Sequence, residues 1–167
     1  MPDAVDDRRD PARAYVGIGA NLGDPRVAIA GAIHALQQLP STRVVRMSSL
    51  YRTAPIDAGG DDYVNAVVAL DTGLEPLALL DALQGIEAAH GRVRTFRNAP
   101  RTIDLDLLVY DARRLSTERL TLPHPRLHER AFVLVPLAEI APGLDVPGLG
   151  ILDHLLPAVA GQRIDKL

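Results

Sequence analysis

The chain contains no cysteine and no tryptophan. Without cysteine it has no disulfide, no Cys-ligated zinc and no cysteine nucleophile. Aromatic residues make up 4% of its 167 positions, which argues against a nucleic-acid platform of stacked rings. No apolar run approaches the length of a membrane span, and the first residues are acidic and polar rather than signal-like, so a cytoplasmic protein is expected. The net charge of −3 gives no general attraction for polyanions; an anion site would have to be a local concentration of Arg. Hydrophobic residues at 47% and charged residues at 23% fit an ordinary globular domain, long enough to bury a core.

The most informative stretch runs from Pro100 to Tyr110, PRTIDLDLLVY. Its β-branched and large apolar residues predict a strand. Strict alternation puts Ile103, Leu105, Leu107 and Val109 on a core face, and Asp104, Asp106, Leu108 and Tyr110 on the other. The Cα atoms of the two aspartates are then about 7 Å apart. Two adjacent carboxylates repel unless one takes a proton or a cation intervenes, and a pair of divalent metals removes the conflict. A solvent-facing strand with two ordinary Asp residues is the competing reading. Asp is a poor strand former, which favours the metal site. Arg101, three residues before Asp104, suits a polyphosphate lying across such metals.

Residues 1–13 mix charge and proline without periodicity and are expected to be a disordered leader, with one domain over 14–167. A strand over 14–20 precedes a helix capped by Asp24 with Pro25 at its first position, running to about Gln38 with Val27, Ile33 and Leu36 inside. The Gly17-x-Gly19 pair is a weak dinucleotide signal; closely spaced glycines better suit close approach of a flat ligand or another strand. A second strand is predicted over 43–51, a loop over 52–61, and a third strand over 63–70. On that third strand Tyr63 and Asn65 share a face, as a ligand-reading pair or as a cross-strand pair at a sheet edge. The second helix spans Glu75 to His90, with Leu79, Leu80, Leu83 and Ile86 inward and Glu87 bordering that face in need of a partner. Arg92, Arg94, Arg97 and Arg101 follow within ten residues, as a solvated loop or as a mobile phosphate clamp feeding the two-Asp strand. Two prolines hold His124 extended, which suits a surface residue or a ligand contact. A short helix over 129–140, broken or started at Pro136, and another over 151–159 complete the chain. The order strand, helix, strand, strand, helix, strand predicts an α+β fold: a ferredoxin-like βαββαβ antiparallel sheet with helices packed on it and extra C-terminal elements.

Six blocks in this order carry a resemblance: Gly17–Gly23, Ser49–Thr53, Asp62–Ala66, Glu87 with Gly91–Arg94, Pro100–Asp106 and Leu122–Pro125. Together they resemble 6-hydroxymethyl-7,8-dihydropterin pyrophosphokinase over about residues 14 to 145. The resemblance implies pyrophosphoryl transfer from ATP to the pterin hydroxymethyl group, with release of AMP, on the route to folate. It further implies two Mg²⁺ ions on Asp104 and Asp106, with Arg92 and Arg101 on the phosphates and Arg94 and Arg97 in a closing loop. Glu87, Arg119, Thr121, His124 and Arg130 fall on the ATP side, and Gly19, Thr53, Ala54, Ile56, Tyr63, Asn65 and Phe132 on the pterin side. The implied partners are these two small molecules, with no nucleic acid and no membrane, and the protein is expected to be a monomer. Asn98 stands where some members carry a loop Trp, the loop is one residue shorter, and Pro125 follows the His where an aromatic can stand. A metal-dependent nucleotidyltransferase would share the Asp pair but has no use for a Tyr63–Asn65 pterin slot. An RNA-binding domain would need sheet aromatics and a basic surface that the composition does not offer.

Overall fold

Period-two alternation builds the strand at the centre of the sheet, β1 (Ala12–Ala20). Ala14, Val16, Ile18 and Ala20 enter one apolar core, while Tyr15 enters a second on the opposite face. The computed structural model describes residues 10–21, 23–54, 62–90 and 103–167. β1 begins two residues before the expected Ala14 because Arg13 is tied down on both sides. Its N–H donates to the Asp111 carboxylate at 2.7 Å, and its guanidinium donates to Asp71 at 2.7 Å.

Helix α1 (Pro25–Gln37) starts on Asp24, whose carboxylate accepts the N–H groups of Arg26 and Val27 at 3.1 and 3.3 Å. Ile29, Ala32 and Leu36 form its buried side, with Ile33 at the margin. Val27, expected inside, is 66% exposed. It stands two residues from Ile29, about 200° around the helix, and so points away from the core.

The strand expected over 43–51 is two strands, β2 (Thr42–Met47) and β3 (Tyr51–Thr53). Both pair antiparallel with the same edge of β4 (Tyr63–Thr72). Between them Ser48 bridges to β4: its N–H donates to the Val67 carbonyl at 2.9 Å and its hydroxyl accepts the Val67 N–H at 2.9 Å. Arg52 and Thr53, expected in a loop, therefore belong to the sheet.

Helix α2 (Pro76–His90) buries Leu79, Leu83 and Ile86 against the same face as α1, with Leu80 partly covered. β5 (Asp104–Tyr110) pairs antiparallel with the other edge of β1. β6 (Leu115–Ser116) and β7 (Thr121–Leu122) form a small separate hairpin. After a 3-10 turn at Leu127–Glu129 comes α3 (Ala131–Ile140), which runs through Pro136 without breaking there. Its buried Leu134 and Leu137 join Tyr15, Val67 and Ala69 in the second core, and that packing holds the helix despite the missing proline N–H. β8 (Asp145–Val146) pairs with β9 (Gly150–Ile151). The helix expected over 151–159 is two 3-10 turns, Leu152–His154 and Leu156–Val159. β10 (Asp165–Lys166) pairs with β3, so the main sheet runs β10-β3-β4-β1-β5.

The arrangement is the expected ferredoxin-like one, with α1 and α2 on one face of an antiparallel sheet and α3 with the C-terminal elements on the other. One face assignment in β5 is corrected. Tyr15 pairs with Val109 but Val16 pairs with Leu107, so Leu108 is an extra residue, a β-bulge. Ile103, Leu105 and Leu107 enter the helical core as predicted. Beyond the bulge the parity changes: Tyr110 joins that core, and Val109 turns to the α3 side with Leu108.

Candidate active site

The two aspartates of β5 lie before the bulge, half-buried on the α3 side of the sheet. Asp104 pairs with Gly19 and Asp106 with Gly17. On the other side of β1, Gly19 pairs with Asn65 and Gly17 with Val67. Partners opposite one another in an antiparallel ladder point to the same face, so Asn65, Gly19 and Asp104 form one row. β1 supplies only hydrogens here, and neighbouring side chains come over them: Leu108 over Gly17 and Asn65 over Gly19.

Asn65 is 5% exposed, and its amide N–H donates to the Thr53 hydroxyl at 2.8 Å. This contact turns Oδ1 over Gly19, where an added Cβ would lie 3.0 Å from it. Tyr63 pairs with Thr53, and Ala54 follows at the surface. Gly19, Thr53, Tyr63 and Asn65 are thus neighbours on the sheet. Phe132, half-buried in the first turn of α3, has the Arg130 guanidinium 5.4 Å from its ring centroid. Ile56 lies outside the described residues.

His124 is anchored to the same strand, its N–H donating to the Leu108 carbonyl at 2.8 Å. Its Nδ1 accepts the Arg126 N–H at 3.1 Å, which places the proton of the neutral ring on Nε2. Burial pushes the His124 imidazole below its ordinary range; the Asp106 carboxylate opposes that, and Arg130 and Arg126 reinforce it. Asp106, His124, Arg126 and Arg130 thus share one electrostatic neighbourhood, a setting suited to an anion beside a carboxylate. Arg126 was not singled out from sequence, where it is one Arg among 18 cationic residues.

Arg119 is exposed and donates to Asp81 and Gln84 of α2, and Thr121 is exposed on β7. Glu87 has found a main-chain partner: its carboxylate accepts the Leu105 N–H at 2.8 Å, the amide between the two aspartates. The end of α2 is thereby docked onto the carboxylate-bearing half of β5. Arg92, Arg94, Arg97, Asn98 and Arg101 lie outside the described residues.

Among the described residues no group of three His, Cys, Asp or Glu side chains is placed to hold a metal. Asp104 and Asp106 offer two carboxylates, both hard oxygen donors. That donor set fits Mg²⁺, which is commonly held by one or two carboxylates and completes its shell with water and substrate phosphates.

Fold and site define a ferredoxin-like α+β protein that sets a strand-borne pair of carboxylates on one sheet face with a buried side-chain amide. Residues 15–142 match the family of 7,8-dihydro-6-hydroxymethylpterin-pyrophosphokinase (HPPK), and the chain belongs to that family. The chain is 47% identical over 156 residues to the 2-amino-4-hydroxy-6-hydroxymethyldihydropteridine pyrophosphokinase of Pseudomonas aeruginosa, covering 93% of this chain and 96% of that one. It is 53% identical over 144 residues to the protein of the same name from Methylorubrum extorquens, covering 86% and 91%. Among solved structures, the HPPK-DHPS of Plasmodium falciparum superimposes with a TM-score of 0.70 at 14% identity, over 90% of this chain and 45% of that one. The present chain thus spans less than half of that solved chain, and the likeness is one of fold. No helix among the described residues is long and apolar enough to cross a membrane.

Proposed function

We propose that the protein transfers pyrophosphate from ATP to the hydroxymethyl group of 6-hydroxymethyl-7,8-dihydropterin, releasing AMP, in folate biosynthesis. The observation that carries this reading is the row Asn65–Gly19–Asp104. An amide that reads a ring edge and a carboxylate that serves a phosphate stand two strand spacings apart, about 10 Å, over a floor kept flat by glycine.

The pterin ring lies between Phe132 and the sheet, with Asn65 Oδ1 facing the ring's N–H donors. Gly19, Thr53, Ala54, Ile56 and Tyr63 complete the slot. The hydroxymethyl oxygen then points toward β5 and attacks the β-phosphorus; the bond to the oxygen bridging the α- and β-phosphorus breaks, AMP leaves with that oxygen, and the hydroxyl proton passes to solvent. Asp104 and Asp106 would hold two Mg²⁺ ions, which when bound neutralise charge on the triphosphate and the attacking oxygen. His124, with Nε2 as donor, and Arg130 face the nucleotide, and Arg119 and Thr121 extend that side. Arg92 and Arg101, with Arg94 and Arg97 on the Arg-rich closing loop, absorb the charge that develops on the transferring group. Glu87 acts from behind, by holding the β5 main chain that carries both aspartates.

The test is AMP release from ATP and Mg²⁺, with and without the pterin, in wild type and Asp104→Ala. Pterin-dependent AMP that falls by about 10³ in the variant, roughly 4 kcal/mol of transition-state stabilisation, is expected. A folded, ATP-binding wild type that makes no pterin-dependent AMP would sink the proposal.

A further inference from the structure

Glu139 is the only acidic residue of α3. Its Oε1 accepts the Ser49 N–H at 3.0 Å and the Tyr51 O–H at 2.7 Å, and its Oε2 accepts the Ser49 O–H at 2.8 Å. One carboxylate thus takes three donors from the chain that leads into β3. Burial alone would raise the Glu139 carboxyl, but the Tyr51 and Ser49 donors and the nearby Lys166 hold it below its ordinary range. The cluster lies outside the carboxylate pair and the cationic neighbourhood of His124.

Its position gives it a consequence for the slot. β3 has three residues, too few to fix its own placement, and it carries two that matter. Tyr51 is the cross-strand partner of Asn65, and Thr53 orients the Asn65 amide. At the other end of the link, Phe132 precedes Glu139 by seven residues on α3. Two helical turns return to nearly the same face, within about 20°, and span about 10 Å. One helix therefore presents Phe132 at its start and the anchor for β3 at its end.

We propose that Glu139 is a positioning residue for the pterin slot: by clamping Ser49 and Tyr51 to α3, it fixes the gap between Phe132 and the Thr53–Asn65 pair. This inference rests on the slot being the pterin site, as proposed above. Glu139 does not touch the ligand. It sets how far apart the two walls stand and how firmly Asn65 Oδ1 is aimed.

The experiment measures the affinity of 6-hydroxymethyl-7,8-dihydropterin, in the presence of a non-hydrolysable ATP analogue, and separately that of the analogue. Glu139→Ala is expected to weaken pterin binding roughly tenfold or more while the analogue stays within about twofold, since a wall displaced by a fraction of an ångström affects only the ligand it grips. Glu139→Gln is expected to recover most of the affinity, because its Oε1 still accepts two of the donors and its N–H can donate to the Ser49 hydroxyl. Unchanged pterin affinity in Glu139→Ala, equal loss for both ligands, or a Gln variant as impaired as the Ala variant overturns the inference while the functional reading stands. A wild type that binds the analogue but no pterin overturns both. If Glu139→Ala does not fold, as read by circular dichroism, Tyr51→Phe carries the test: selective loss of pterin supports the clamp, and unchanged affinity overturns it.

Discussion

Asn65 and Asp104 face the same side of the sheet on one cross-strand row, with Gly19 alone between them. Replacing that glycine is therefore a direct probe of the floor. An alanine Cβ would sit 3.0 Å from Asn65 Oδ1, and Asn65 cannot turn aside without losing its 2.8 Å bond to Thr53. Gly19→Ala is expected to cost about 1–3 kcal/mol of stability and to weaken pterin more than ATP. Denaturant unfolding and the two binding isotherms check this; equal affinities to wild type would show that the row is not the ring site.

Glu87 links α2 to β5 through a charged acceptor on a strand amide. Truncation to Ala is expected to lower stability by about 2 kcal/mol, and Gln, which keeps an acceptor, to lower it by less than half of that. Urea midpoints for the two variants decide it. Identical midpoints would mean that the carboxylate is dispensable to the docking.

Tyr51 gives a signal at high pH. Burial, with the Glu139 carboxylate as hydrogen-bond partner and neighbouring charge, raises its phenol to about 12, from the usual value near 10. The folded form keeps the proton that the unfolded chain gives up. The stability tied to this group is thus complete below pH ~10 and is lost as pH rises toward 12. Ultraviolet titration of the folded protein should show a phenolate that forms near pH 12 and is absent in Tyr51→Phe. A late step that persists in that variant would assign it to another ring.

The two sides of α1 differ in their tolerance. Ile29 is 1% exposed and Val27 66% exposed. Ile29→Ala is expected to cost about 2–5 kcal/mol, and Val27→Lys to stay within about 0.5 kcal/mol. Thermal melts of both variants suffice, and a large loss in Val27→Lys would place that side chain against a partner.

The sequence carried the element order because each long element has a local signal: alternation in β1 and in β5 up to the bulge, a continuous apolar run in β4, and a period near four in α1 and α2. It also carried the shared face of Tyr63 and Asn65, which follows from parity, whereas the register that sets Gly19 beside Asn65 comes only with the pairing of β1 and β4. Parity failed where a ladder is interrupted. Nothing local in Val44 to Leu50 marks Ser48 as the residue whose hydroxyl substitutes for the ladder, so β2 and β3 read as one strand. Pro136 looks like a breaker until its surroundings are known, because the apolar packing that holds α3 around it comes from β1 and β4. Glu139 was invisible for the same reason. Its three donors lie 88 and 90 positions away, and only the fold brings them to it.

The bulge at Leu108 divides β5 into two halves with independent bookkeeping. Before it, alternate residues face the α3 side and the helical core; after it, they face the same two sides in the opposite phase. Anyone grafting this strand, aligning distant relatives by hydrophobic pattern, or designing a library across it must restart the count at Leu108. Deleting that single residue would make Leu107 and Val109 consecutive, which is the regular alternation their partners Val16 and Tyr15 already have, so both carboxylates, Val109 and Tyr110 would keep their faces. A deletion placed at Leu108 should therefore leave both halves in phase, its cost being the Leu108 side chain in the α3-side core and the carbonyl that accepts the His124 N–H.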